Sequence, residues 1–275
     1  LNKKEVIVLY EQPLRIAAEE AADIYPVLKR ELEKTLGWRV NFRPTVLLIK
    51  ESKAFQRAAG NDLIVAFAIP KRYLIVIDYS KMRTRPFTID TTLKHELCHL
   101  LLHSHIKKEN LPRWLDEGIS QWVSGGMAEI MMNQSRSVLD EAILSGKHIN
   151  IRALSEGFPE HRKSLLLAYE VSKSLVEYII RKFGRDGILS VLQHLKDGDT
   201  MDGAIRKGLS ISFDELERRW LDHLKKRATW FLYLINNLYE ILFFLAALLM
   251  IYGFIRSLIK KRAYMHEEED NTFLL

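Results

Sequence analysis

The sequence predicts an α+β fold, with a small N-terminal sheet and its helices first, then a long helical part, and one apolar helix close to the C-terminus. Three observations predict it. Short β-branched, apolar runs are confined to the first eighty residues. Helical periodicity dominates from Thr91 to Arg227. Between Trp230 and Ile255 polar residues nearly vanish.

Composition sets the outer bounds. The chain has 275 residues, 48% apolar and 28% charged, enough to build a real core in one large or two small domains. The net charge of +6 comes from basic residues scattered among acids, without a long basic run. That pattern reads as a solvated surface, and no nucleic-acid partner is expected. A single cysteine, Cys98, excludes an internal disulfide. It reads as a small packing residue on the flank of its helix.

The elements follow in order. Val6 to Tyr10 reads as a strand. Pro13 opens a helix to Leu36, with Ile16, Ala17, Ile24, Val27, Leu28 and Leu32 spaced for one buried face and Gly37 as its stop. Pro44 to Lys50 is a second strand, and Ser52 to Ala59 a short helix ended by Gly60-Asn61. Leu63–Ile69 and Tyr73–Asp78 flank Pro70-Lys71-Arg72 and read as a hairpin.

A helix from Thr91 to His103 comes next, and it carries His95-Glu96-Leu97-Cys98-His99. Residues four apart lie on one helical face, so both imidazoles can aim at one metal ion. Zinc accepts such nitrogens, and a catalytic site keeps one position open. Glu96 projects beside the pair, where its carboxylate can take the proton of an attacking water. Leu93, Leu97, Leu100 and Leu101 fall about 140–240° from His95, a stripe for burial. Asp90 or Thr91 is placed to cap the N-terminus. Chance yields the five-residue pattern in about one chain per hundred of this size, so its context decides.

That context is a second helix, opened by Pro112 and closed by Gly125-Gly126. Opposite Glu117 it carries Leu115, Ile119, Trp122 and Val123, about 140–240° away. Two helices with apolar backs and polar fronts form a two-sided clamp, in which Glu117 is the natural third ligand of a His₂Glu catalytic zinc site. Four helical segments follow: Ser164 to Phe183, ended by Gly184; Gly187 to Leu195; Met201 to Lys207; and Phe213 to Arg227.

The last segment reads as a membrane span. Leu234 to Ile255 is long enough to cross a bilayer, with Trp230, Tyr233 and Tyr239 near one interface; Glu240 argues for a buried or interfacial helix instead. Arg218, Arg219, Lys225, Lys226 and Arg227 precede it, and Arg256, Lys260, Lys261 and Arg262 follow, so charge does not orient it. The domain plan is therefore 1–128 for the α+β part with both motif helices, 129–228 for the helical part, 230–256 for the span and 257–275 for a charged tail.

Taken together, His95-Glu96-Leu97-Cys98-His99 and Leu111-Pro112-Arg113-Trp114-Leu115-Asp116-Glu117-Gly118 resemble the gluzincin zinc metallopeptidases, and among them the peptidase MA-like group, distantly thermolysin-like. Ala168-Tyr169-x-x-Ser172-x-Ser174-Leu175-Val176-x-Tyr178 and the helix near Trp220 are similar to that group's downstream part, and the resemblance covers roughly residues 5–225. It implies Zn2+ on His95, His99 and Glu117, Glu96 as general base, and Tyr169 as a donor to the oxyanion, with His103 as a second candidate. In one respect the chain departs from the pattern. Thermolysin-like enzymes carry an Asp four residues after the ligand Glu, as partner to a zinc histidine, whereas this chain has Gln121. Asp116 or a backbone carbonyl is left to fill the role.

The expectation is a membrane-anchored, single-pass zinc peptidase acting on peptides or proteins, with its catalytic domain extracytoplasmic. The alternatives are an inactive, membrane-tethered peptidase fold that serves as a binding or scaffold module, and a merely structural zinc site.

Overall fold

A computed structural model describes residues 1–60, 62–82, 87–126, 137–146 and 149–272. Four strands are present: β1 (Ile7–Tyr10), β2 (Thr45–Ile49), β3 (Ala66–Ile69) and β4 (Leu74–Asp78). They form one sheet in the order β1-β2-β4-β3. The first three of these neighbours run parallel, and β3 pairs antiparallel with β4. Parallel neighbours need a crossover. Helix α1 (Arg15–Leu36) supplies it between β1 and β2, and α2 (Ser52–Ala59) lies between β2 and the hairpin. Among the described residues this order places β3 last in the sheet.

Local chemistry closes each turn. Gly37 and Gly60 end α1 and α2 with φ of 73° and 68°, left-handed values that glycine adopts without strain. Asp78 is buried at the end of β4, where it accepts hydrogen bonds from Ser52 Oγ at 2.6 Å, Ser80 N at 3.0 Å and Ser80 Oγ at 2.6 Å. A buried carboxylate needs such partners, and these tie the sheet to α2.

The buried face of α1 differs in part from the expected one. Ala17, Ala18, Ala21, Ala22, Tyr25, Leu28, Leu32 and Leu36 face inward, while Ile16 and Val27 are exposed at 77% and 42%. Four small alanines let the helix sit close against β1 and α3, and the face they define turns Ile16 and Val27 outward.

Helix α3 (Ile89–His105) is the central element, packed against α1, α4, β3 and β4. It starts earlier than expected: Thr88 is the N-cap residue and makes no side-chain cap bond, so neither Asp90 nor Thr91 caps it. Leu93, Leu97, Leu100 and Leu101 are all fully buried, each worth roughly 1.5–3 kcal/mol of transfer free energy. Helix α4 (Arg113–Ser124) follows, then α5 (Val138–Leu144), α6 (Ala153–Glu156), α7 (Arg162–Lys196), α8 (Met201–Leu209), α9 (Phe213–Asn236) and α10 (Leu238–Thr272). The expected stop at Gly184 is a break inside α7, where φ is 74° and ψ is 174°. Just beyond it, Arg185 donates to the Thr35 carbonyl at 2.7 Å and to that of Lys34, satisfying open carbonyls at the end of α1.

Residues Leu1–Asp222 form one compact unit, so the parts expected at 1–128 and 129–228 share it up to that point. His223–Leu275 form a second. Among the described residues, one helix is long and apolar enough to cross a membrane: Leu238–Ser257, 20 residues with a mean hydropathy of 2.2. The helix break at Asn237 separates this stretch from 230–236, so the candidate span begins at Leu238. The side chains of Trp230 and Tyr233 lie outside the described residues; that of Tyr239 is exposed.

Candidate metal centre

The site is built where α3 and α4 cross. The close approach of α4 to α7 is set by glycine. A Cβ on Gly118 would lie 2.5 Å from the Ser172 carbonyl oxygen and 2.5 Å from Val176 Cγ2, so only a hydrogen fits between α4 and the α7 backbone. Seated there, α4 turns Glu117 toward α3. One turn separates His95 from His99 on α3, and both rings point at the same spot.

Three donor atoms meet in a buried triangle. His95 Nε2 and His99 Nε2 are 3.1 Å apart, and Glu117 Oε2 is 3.6 Å from the first and 3.5 Å from the second. A tetrahedral ion bound at about 2.0–2.1 Å needs roughly 3.3–3.4 Å between donors. The triangle fits that requirement. His95, His99 and Glu117 are also the group whose ligand atoms lie close enough together to hold a metal ion.

The outer nitrogens have partners of their own, which leaves the inner ones to the site. His99 Nδ1 lies 2.7 Å from Asp116 Oδ1, the short geometry of an N–H donating to a carboxylate. Burial pushes the Asp116 carboxyl up, but His99 and His103 more than offset this and hold it below the usual range, so it is the acceptor. With Nδ1 donating to Asp116, His99 keeps Nε2 as its inward nitrogen, the one a metal ion would take. His95 Nδ1 lies 3.4 Å from Ser124 Oγ, whose own hydrogen goes to the Ser120 carbonyl at 2.8 Å. Two inward imidazole nitrogens and a carboxylate oxygen facing one point form a donor set that suits a cation between them. Burial pulls the His99 pKa down, but the Asp116 and Glu117 carboxylates outweigh it and raise it well above the usual value. Those same charges favour a metal cation.

The partner left open by Gln121 is thus Asp116, one residue before Glu117 rather than four after it. Gln121 instead donates from Nε2 to the Tyr169 carbonyl at 3.2 Å. The second oxygen of Asp116 lies 3.0 Å from His103 Nε2, so one buried carboxylate joins two histidines a turn apart. Arg113 was not singled out from sequence, yet its Nη2 lies 2.6 Å from Glu117 Oε1. The i,i+4 spacing of Arg113 and Glu117 was the available signal.

Glu96 is fully buried on α3 and lines a cavity of about 740 Å³ together with His99, His103, Asp116 and Tyr169. Tyr169 reaches that wall from α7, but its body is packed. The ring meets Phe158 edge-on at 5.1 Å and clusters with Leu63, Val138, Leu165 and Leu166. The opposite wall is edge strand β3. Cys98 is fully buried, and its thiol is pushed up to about 12 by that burial, which leaves it a protonated packing residue.

A family model described as the Peptidase MA superfamily matches residues 66–226. The match opens on β3 and runs through α3 and α4 into α9. No curated protein matches the chain.

Proposed function

The chain belongs to the peptidase MA superfamily, and from that premise we propose that it is a membrane-anchored zinc peptidase. One observation carries the reading: the buried triangle of His95 Nε2, His99 Nε2 and Glu117 Oε2, with Glu96 beside it on the cavity wall. Bound there, Zn2+ would supply Lewis-acid polarisation of the scissile carbonyl.

The chain's own residues do the rest. Glu96 takes a proton from the attacking water as its oxygen bonds to the carbonyl carbon, and returns a proton to the leaving amine nitrogen as the C–N bond breaks. Asp116 holds the proton on His99 Nδ1 and so keeps Nε2 turned inward. Arg113 pins Glu117 from the far oxygen. Tyr169 is assigned to the developing oxyanion, supported by its place on the same wall. A peptide adds to β3 as an extra strand, because among the described residues β3 is the last strand of the sheet and it lines the cavity.

Leu238–Ser257 is the proposed single-pass anchor, with the peptidase unit assigned to the extracytoplasmic side. Protease added to intact vesicles should then digest that unit and spare the C-terminal tail.

Glu96→Gln tests the chemistry. The full chain in detergent should keep about one zinc per molecule and its fold, yet lose at least 10²-fold in hydrolysis of an unfolded-protein substrate, because an amide cannot take the proton. Retained, chelator-sensitive cleavage in Glu96→Gln would refute the assigned base. A binding module would have no hydrolysis to lose.

A further inference from the structure

The cavity is lined by two chemically different groups: Glu96, His99 and Asp116, and three lysines, Lys71 from the β3–β4 turn, which packs against α3, and Lys107 and Lys108 from the segment after α3. All three lysines are exposed, and none has an ion-pair partner among the described residues. The remaining cation on the wall, Arg113, is engaged with Glu117. Glu96 and Asp116 are the carboxylates on the described lining, and both belong to the first group. Two segments far apart in sequence therefore bring positive charge without an ion-pair partner among the described residues into the cavity that His99 and Glu96 also line.

The spacing converts to substrate positions. From His99 to the end of α3 at His105 is about 9 Å at 1.5 Å per residue, and the lysines follow directly. An extended peptide advances about 3.3 Å per residue. The same wall includes Ala66, Phe67, Ala68 and Ile69 of β3, which suits apolar side chains.

We propose that Lys71, Lys107 and Lys108 form a carboxylate subsite, and that preferred substrates carry Asp or Glu two to four residues from the scissile bond. This rests on the peptidase reading above. Exposed ion pairs each shift an equilibrium by roughly 1.5- to 5-fold, so engaging one or two lysines predicts a preference of about fivefold.

The test uses the full chain in detergent with zinc and paired peptides that differ only as Glu or Gln at each position up to four residues from the cleaved bond. Glu should raise kcat/KM about fivefold at one or more of the outer positions, and the ratio should shrink as salt rises. The triple change Lys71→Gln, Lys107→Gln, Lys108→Gln should bring it to about one, whereas the matching Arg triple should keep it. A second set, free acid against C-terminal amide, identifies the source: dependence on the free acid alone assigns the subsite to the substrate's own terminus. Cleavage with a ratio near one at every position in both sets overturns the subsite, as does a ratio that survives the Gln triple. If no peptide is cleaved, the peptidase reading has failed on its own. Anisotropy of the same pairs on the Glu96→Gln chain then decides the subsite separately, with tighter Glu binding supporting it and equal binding overturning it.

Discussion

Helices α3 and α10 are both rich in leucine, and they meet opposite fates. On α3 the leucines at 93, 97, 100, 101 and 102 are fully buried, and so are His95 and Glu96. On α10 Phe243, Phe244, Leu248, Leu249 and Phe254 are all more than half exposed. Apolar composition alone does not decide where a helix resides. A helix that finds protein on every side can afford charged groups in its interior, provided each is hydrogen-bonded or metal-bound. A helix without such partners needs a different apolar solvent. The buried polar groups of α3 are the observation behind the proposed chemistry, and the exposed apolar side chains of α10 are the observation behind the proposed anchor.

The comparison breaks first, and most completely, if α10 is dispensable. The full chain should stay with membranes through carbonate extraction, and a chain ending at Ala228 should be released entirely. A full-length protein that is soluble without detergent would remove the span.

Paired truncations sharpen it next. Leu97→Ala should destabilise the 1–222 unit by about 2–5 kcal/mol through the cavity it leaves, read by denaturant melts of the full chain in detergent. Leu248→Ala should change the same transition by less than about 0.5 kcal/mol. Equal effects would mean that α10 packs as a core helix.

A smaller effect probes how α3 tolerates its buried histidines. Asp116→Asn removes the charge that holds His99 Nδ1–H, and zinc affinity by chelator competition should fall about 10- to 100-fold with the fold retained. Unchanged affinity would leave Asp116 with a packing role only. An effect of similar size concerns the seat of α4. Gly118→Ala forces a methyl against the Ser172 carbonyl and should cost about 1–3 kcal/mol. It should weaken zinc binding as well, because Glu117 is the adjacent residue.

The site was legible to different depths. His95, Glu96 and His99 lie within one helical turn, and helix geometry alone puts the two imidazoles on one face. Glu117 needed a second helix, and its Glu-Gly pair is explained only by the α7 backbone 2.5 Å from where a side chain would begin. Asp116 could be raised from sequence but not chosen over a backbone carbonyl, because the choice depends on how α4 is rotated against α3. The face expected for α1 holds at Ala17, Leu28 and Leu32 and fails at Ile16 and Val27, for the same reason. Ile16 and Val27 are as apolar as the residues chosen for burial, and only the close approach at four alanines picks the true face.

By itself, then, the sequence determined what short-range geometry controls: where the strands and helices lie, where glycines stop them, the paired metal motif, the apolar C-terminal helix, and through these the family. Tertiary structure alone decided which strand lies last in the sheet among the described residues, which carboxylate meets His99 Nδ1, that Arg113 pairs with Glu117, and that three lysines distant in the chain line one cavity with His99 and Glu96. The first set depends on dihedral preferences and on periods of 2 and 3.6 residues, which any short window of sequence carries. The second depends on how rigid elements interlock at ångström spacing, and that is a property of the packed whole.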